Sequence, residues 1–397
     1  MDRIQSINLE NGLKVYLELI PIRESSAYLV VNAGSINDRV PETAHVVEHM
    51  QCSGSRLYGE RGTLNYATTE SRTEDIRSIF YFSCMFSEDL SRALKNLSLV
   101  LAQPHIRWLD RERSSVRGQL KDLENPYAAI GDQIFSVLFP ETSKLLPSLK
   151  KRLYGVGRVN VDVCREFFNQ YYAPGNSFLY IGGKLSSDFD KAMAKFRNTP
   201  VRKPVKNADI PKEKTLESRV EIREKWAGHN GNITIAYQVP LYPDVSLTEH
   251  TARIILANLL SEDYGPLYRR LRDKKKVCDG ASVEFNKVGK AGQLNFDFAA
   301  HPKNFSLIEN EFRQALTHIA IKGIRNDHLE SFRKAQSISR LHMMNHPDIN
   351  RIFTKLDYGV DADDVDTAIS RVSQQDVSNV ARMLLNRGYV VAMAVPS

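Results

Sequence analysis

Ser26-Ala27-Tyr28-Leu29-Val30-Val31-Asn32-Ala33-Gly34, followed shortly by Thr43-Ala44-His45-Val46-Val47-Glu48-His49-Met50, is the stretch on which the reading of this chain turns. The first part is an apolar run that stops at glycine, as a buried strand does. The second reads as a helix. Residues four apart on a helix share a face, so His45 and His49 can present two imidazoles to one metal ion. Glu48, three residues from His45, reaches the same space. Zinc held in this way keeps a position for water and lowers its pKa, and a nearby carboxylate can take the proton and later pass it to a leaving amine. The H-x-x-E-H order is therefore a candidate metal centre with Glu48 as general base. The competing reading is an ordinary polar helix turn that happens to carry two histidines.

Working outward, Gly12–Leu19 alternates like a strand, and Ile79–Cys84 and Ser177–Gly183 are further strand candidates. Between them, Leu90, Ala93, Leu94, Leu97, Val100 and Leu101 recur at helical spacing. A polar helix is expected from Arg111 to Glu124, stopped by Asn125-Pro126. Residues 199–218 carry three prolines and many charges, the composition of a solvated linker. Beyond it the order begins again, with a strand at Asn232–Val239, a helix at Thr248–Leu260, and strands at Gly292–Phe298 and Tyr389–Ala394. Strands and helices mix without strict alternation. The expected fold class is α+β: two similar domains, 1–200 and 219–397, joined by a linker at 201–218, each with helices packed on a largely antiparallel sheet.

Length and composition agree. A chain of 397 residues with 42% apolar and 25% charged residues suits two globular cores. The net charge of +7 is modest and mixed in sign. Its one dense patch, Arg269, Arg270, Arg272, Lys274, Lys275 and Lys276, reads as an exposed helix end, and no nucleic-acid motif accompanies it. Cys52, Cys84, Cys164 and Cys278 are far apart, which fits a reducing, cytoplasmic setting rather than a disulfide framework. Neither a targeting segment nor a membrane span is expected. The remaining histidines add no second metal motif, and there is neither a phosphate-binding loop nor a serine elbow.

With the residues set out, the chain resembles the pitrilysin-type (inverzincin) zinc peptidase family. Val30–Ser35 fits the family's strand before the motif. Met50-Gln51-Cys52-Ser53-Gly54-Ser55 fits its short turn after it, and Leu9–Val15 fits its first strand. Gly62-Thr63-Leu64-Asn65-Tyr66-Ala67-Thr68-Thr69 loosely matches the segment that in the family is an edge strand pairing with the substrate backbone, which implies substrate-binding roles for Asn65 and Ala67. The resemblance covers most of the first half by motif and the second half by pattern.

Two departures stand out. The family's Glu-Arg-x-x-Val-x-x-Glu, whose last residue is the third ligand, here reads Glu112-Arg113-Ser114-Ser115-Val116-Arg117-Gly118-Gln119. Gln119, a neutral and weaker donor, stands at the ligand position, and Glu112 matches an accessory acid. Completion of the site by Gln119, completion by Glu124 after a register shift, and loss of zinc are all open. In the second half the family's Arg and Tyr, seven residues apart, hold the substrate carbonyl. Here Arg272 is kept, but Asp279 stands for the tyrosine and Lys276 for a glycine.

The resemblance thus implies a zinc metalloendopeptidase with zinc on His45 and His49 and Glu48 as base. It also implies a half-size bacterial member like a subunit of the divided mitochondrial processing peptidase. Such a subunit would work as a homodimer or with a related chain carrying an Arg/Tyr pair, on short or unfolded peptides. The alternative is a catalytically degenerate peptide-binding or scaffold subunit.

Overall fold

The computed structural model describes residues 4–54, 67–124, 126–203, 208–226, 231–261, 265–289, 291–344 and 346–396. They form two compact units, each a mixed α+β layer structure as expected.

The first unit comprises Met1–Leu123, Leu146–Asp209 and Arg340–Asn350. Its strands are β1 (Ile4–Asn8), β2 (Lys14–Leu19), β3 (Ser25–Val31), β4 (Ala67–Thr73), β5 (Ser78–Cys84) and β6 (Ser177–Gly183), in the order β1-β2-β6-β3-β5-β4. All pairs are antiparallel except β2 with β6. The helices in chain order begin with α1 (Thr43–Gly54), α2 (Leu90–Ala102) and α3 (Leu109–Asp122). Then come α4 (Pro126–Leu138), α5 (Leu149–Val156), α6 (Val161–Tyr171) and α7 (Phe189–Arg197), of which α4 belongs to the second unit.

Alternation decides which side chains meet the helices. Leu13, Val15 and Leu17, then Ala27, Leu29 and Val31, then Phe80 and Phe82, then Leu179 and Ile181 share one core with the apolar faces of α1, α2, α3, α6 and α7. The helical spacing read from residues 90–101 is the inward face of α2, whose six apolar side chains are fully buried. The opposite sheet face carries Tyr28, Tyr180 and the buried Glu18, which accepts a hydrogen bond from the Tyr180 hydroxyl. A segment far away in sequence closes it. The Asp348 N–H donates to Glu18 Oε2 at 3.1 Å, and Pro347 lies against Gly182.

The second unit comprises Glu124–Leu145, Ile210–Ser339 and Arg351–Ser397. Its sheet, in the order β7-β11-β8-β10-β9, is built from β7 (Val220–Trp226), β8 (Gly231–Pro240), β9 (Gly280–Val288), β10 (Ala291–Ala300) and β11 (Val390–Pro396). Only β7 with β11 is parallel. One face packs on α8 (Leu247–Ser261), the short α9 (Pro266–Arg269), α10 (Phe305–Lys322), α11 (Asn326–Met344), α13 (Ala362–Arg371) and α14 (Gln374–Leu385). Between α11 and α13 lies α12 (Asn350–Tyr358). The other face takes α4: Ile130, Ile134, Leu138 and the adjacent Phe139 pack on Ile222, Ala236, Val288, Val390, Ala392 and Ala394.

The units therefore depart from a division at 200 and 219. Residues 124–145 leave the first half of the sequence for the second unit, and 340–350 leave the second half for the first. The segment 199–218 has neither helix nor strand among its described residues. The four cysteines are buried and form no disulfide. No helix among the described residues is long and apolar enough to cross a membrane.

Leu138 is fully buried against the sheet of the second unit. Leu138→Ala should destabilise by about 2–5 kcal/mol, the usual cost of such a cavity. Amide exchange should show lost protection in β8 and β11 and unchanged protection in β3 and β6.

Candidate metal centre

The helix that carries the motif is anchored at both ends. At its start the Asp38 carboxylate accepts the Ala44 N–H at 2.8 Å, satisfying one of the orphan donors of the first turn. Burial drives the Asp38 pKa well above the usual carboxylate range, against the hydrogen bonds from this backbone. Near its end Gln51, fully buried, donates to the carbonyls of Val100 and Gln103 at 2.6 and 3.1 Å and accepts the His105 N–H at 2.8 Å. This latches α1 to the end of α2. Gly54 closes the helix where a Cβ would overlap the His105 ring, so no larger residue fits.

Between these anchors His45, Glu48 and His49 converge. One ligand atom from each lies within 4.8 Å of the others, the geometry expected from the four-residue spacing. The two imidazoles stand 5.0 Å apart by ring centroid, at 71°. Each is held by a carboxylate at the same ring atom. His45 Nδ1 is 2.8 Å from Glu42 Oε2, and His49 Nδ1 is 3.3 Å from Glu112 Oε2. An ionised carboxylate only accepts, so Nδ1–H donates and Nε2 is the nitrogen left for a metal.

The two carboxylates are held in turn. Arg152 Nε lies 2.5 Å from Glu42 Oε1. Glu112 Oε1 accepts from Arg111 Nε at 2.8 Å and from Ser53 Oγ at 2.8 Å. Burial opposes ionisation of both. Hydrogen bonds from His45 and Arg152 outweigh it at Glu42 and lower its pKa. Those from His49, Arg111 and Ser53 do so at Glu112 and bring it to about 2. At His49 burial acts downward, but Glu112, Glu48 and Gln119 together raise its pKa.

Glu48 is 1% exposed. Its Oε1 accepts from the Cys52 thiol at 3.6 Å, a weak donor one turn on. No Lys or Arg is paired with it among the described residues, so a buried carboxylate faces two imidazoles with little to balance its charge. A divalent cation held by the two Nε2 atoms would supply that balance, and imidazoles backed by carboxylates are the usual surroundings of a zinc-binding histidine. The residues present fit zinc in this respect.

The other expected site residues fall as follows. Gln119, exposed near the end of α3, lies close enough to His49 to help raise its pKa. Glu124 lies past the end of α3 and belongs to the second unit. Ala67 opens β4, the outermost strand of its sheet, whereas Asn65 lies outside the described residues. Arg272 is in the second unit, where it donates to the carbonyl of Asp279 and sits 5.9 Å from the Tyr268 ring. Lys276 has φ 54°, the left-handed conformation that glycine adopts most readily. The basic patch around it is partly neutralised: Arg270 and Lys275 both pair with Glu311, at 2.6 and 3.1 Å. Glu42 and Asp38 carried no sequence signal. Glu42 stands one turn before His45, a spacing that marks it only once the helix start is known.

A depressed carboxylate pKa stabilises the fold above its ordinary value and loses that contribution as pH falls toward the depressed one. For Glu112 that window runs from about 4.5 down to about 2. The metal-free wild type should therefore lose stability across this window more steeply than Glu112→Gln, as followed by denaturant titrations at stepped pH.

Residues 158–336 match the family model described as the peptidase M16 inactive domain. No curated protein matches the sequence. Among solved structures, a protease from Helicobacter pylori superposes with TM-score 0.82 at 16% identity, over 99% of each chain. A peptidase M16 inactive domain from Pseudomonas fluorescens gives 0.80 at 14%, over 99% of this chain and 98% of that one. The first half of the periplasmic protease PqqL from Escherichia coli gives 0.79 at 15%, over 98% and 92%. The matched segment begins after α5 and leaves out His45, Glu48 and His49, so its description does not bear on them. The chain has the two-unit α+β fold of M16-like peptidases, with a candidate His-Glu-His metal centre in its first unit.

Proposed function

We propose that this chain is a zinc-dependent metalloendopeptidase of the pitrilysin type, acting on peptides as the metal-bearing subunit of a dimer. The observation that carries the reading is the convergence of His45, Glu48 and His49, with both Nδ1 atoms held by carboxylates so that both Nε2 atoms are available. His45 and His49 would hold zinc, with Gln119 as the weaker third donor. Bound zinc would supply Lewis acidity and acidify the attacking water. Glu48 would receive the proton from that water and deliver it to the leaving amine, and Glu112 would keep the His49 ring in place. The outer edge of β4, from Ala67 onward, would add the peptide as a further strand, and Asn65 keeps its expected role in substrate binding. Arg272, or an Arg/Tyr pair on a related partner chain, would hold the substrate carbonyl. Four buried cysteines that form no disulfide support a reducing, cytoplasmic setting.

A second reading is favoured by one residue. Gln119 puts a neutral amide at the position where the pitrilysin pattern has a carboxylate. On that reading the chain binds peptides without cutting them, as the degenerate member of a pair.

Elemental analysis after zinc loading should find about one zinc per chain, lost in His49→Ala and reduced in Gln119→Ala. Glu48→Gln should keep the metal and lose peptide hydrolysis by about 10²–10⁴-fold, the usual worth of a general base. A loaded wild type without zinc that still binds unfolded peptide would move the conclusion to the second reading.

A further inference from the structure

We propose that Glu42 is a positioning residue for this centre: its buried carboxylate fixes the ring and tautomer of His45, and a strained backbone is kept at residue 42 to deliver it. The inference rests on the reading of His45 as a ligand.

Glu42 has φ 72°, in the left-handed region that residues with a Cβ avoid and glycine enters freely. It stands immediately before α1, and its carbonyl accepts the Val46 N–H at 3.0 Å, so it is the residue on which the helix starts. A side chain at that place ordinarily caps the free N–H groups of the first turn. Asp38 caps the Ala44 N–H instead, and Thr43 Oγ1 ties back to the Val40 carbonyl at 2.6 Å. The Glu42 carboxylate is thereby released from capping. It runs along the first turn to His45 Nδ1 at 2.8 Å, with its other oxygen on Arg152.

The surroundings are fitted to hold it there. Glu42 is 2% exposed. Arg152 comes from α5, which approaches the loop before α1 closely enough that a Cβ on Gly155 would stand 2.5 Å from Pro41 Cβ. Glycine at position 42 would suit the backbone better, and the helix would keep its caps. What it would lose is the acceptor for His45. A strained, buried, charged residue where the fold itself favours glycine is explained by the imidazole it holds, and backbone strain of this kind collects at functional sites.

The test uses the full chain as wild type, Glu42→Gly and Glu42→Gln. Zinc affinity is read by competition with a chromogenic chelator, thermal unfolding is followed on the metal-free protein, and spectra of ¹⁵N-labelled histidine report the His45 tautomer. Glu42→Gly should weaken zinc binding by about 10- to 100-fold, the range for removing such a carboxylate. Its metal-free thermal midpoint should stay level or rise, and its His45 should become a tautomer mixture. Glu42→Gln, which retains an acceptor oxygen, should lose less affinity and keep the tautomer. Unchanged zinc affinity in Glu42→Gly, or an unchanged His45 tautomer, overturns the positioning role. A drop in its thermal midpoint with zinc affinity preserved makes Glu42 a structural ion-pair residue and also overturns it. A wild type that takes up no zinc overturns the peptidase reading instead, and the tautomer comparison still decides what Glu42 does to His45.

Discussion

Each imidazole of the candidate centre donates its Nδ1–H in a hydrogen bond to a buried carboxylate, and that constraint decides what the remaining groups can do. It selects one tautomer at both rings, and so turns both Nε2 atoms into acceptors at the same time. It also requires two anions beside a third, Glu48, inside a largely buried shell. Like charges crowded in this way are tolerated only where cations or strong donors offset them. Arg152, Arg111 and Ser53 do so for the outer pair. Glu48 has the Cys52 thiol and its neighbouring imidazoles, and its balance is the part of the network that most favours a bound cation.

The same constraint explains the fixed framework around α1. A tautomer set by a hydrogen bond of about 3 Å is useful only if the backbones on both sides stay in register. Asp38 and Gln51 fix the ends of α1, α3 brings Glu112 to His49, and α5 brings Arg152 to Glu42. The site is thus a meeting of three helices and a loop over one apolar core.

Much of this was legible in the sequence. The 45–48–49 spacing marked the centre because helix periodicity is fixed by the backbone. The apolar pattern from Leu90 to Leu101 marked a buried helix face for the same reason, and the mostly apolar run of β6 marked a buried strand. Gln119, the residue expected at the ligand position, lies exposed near the end of α3. Other features were not legible. Edge strands such as β1, mostly exposed and polar, have no one-sided pattern to betray them. The apolar side chains of α4 show that a face is buried, but periodicity does not say against which sheet, and the helix belongs to the unit named by the other half of the chain. Glu42 was invisible because its conformation contradicts the preference of its residue type.

The exchange of segments between the two units has a consequence for synthesis. The seat of α4 includes Val390, Ala392 and Ala394 of β11, and β11 lies between β7 and β8 within its sheet. Val390 is translated about 250 residues after Leu138, a delay on the order of tens of seconds at ordinary elongation rates. Until then the apolar stripe of Ile130, Ile134 and Leu138 has at most the partial cover of Ile222, Ala236 and Val288 on the nascent chain. The first unit, whose strands are all translated by Gly183, can assemble most of its core while this helix waits. The topology thus leaves this stripe incompletely covered until the last strand of the chain is made.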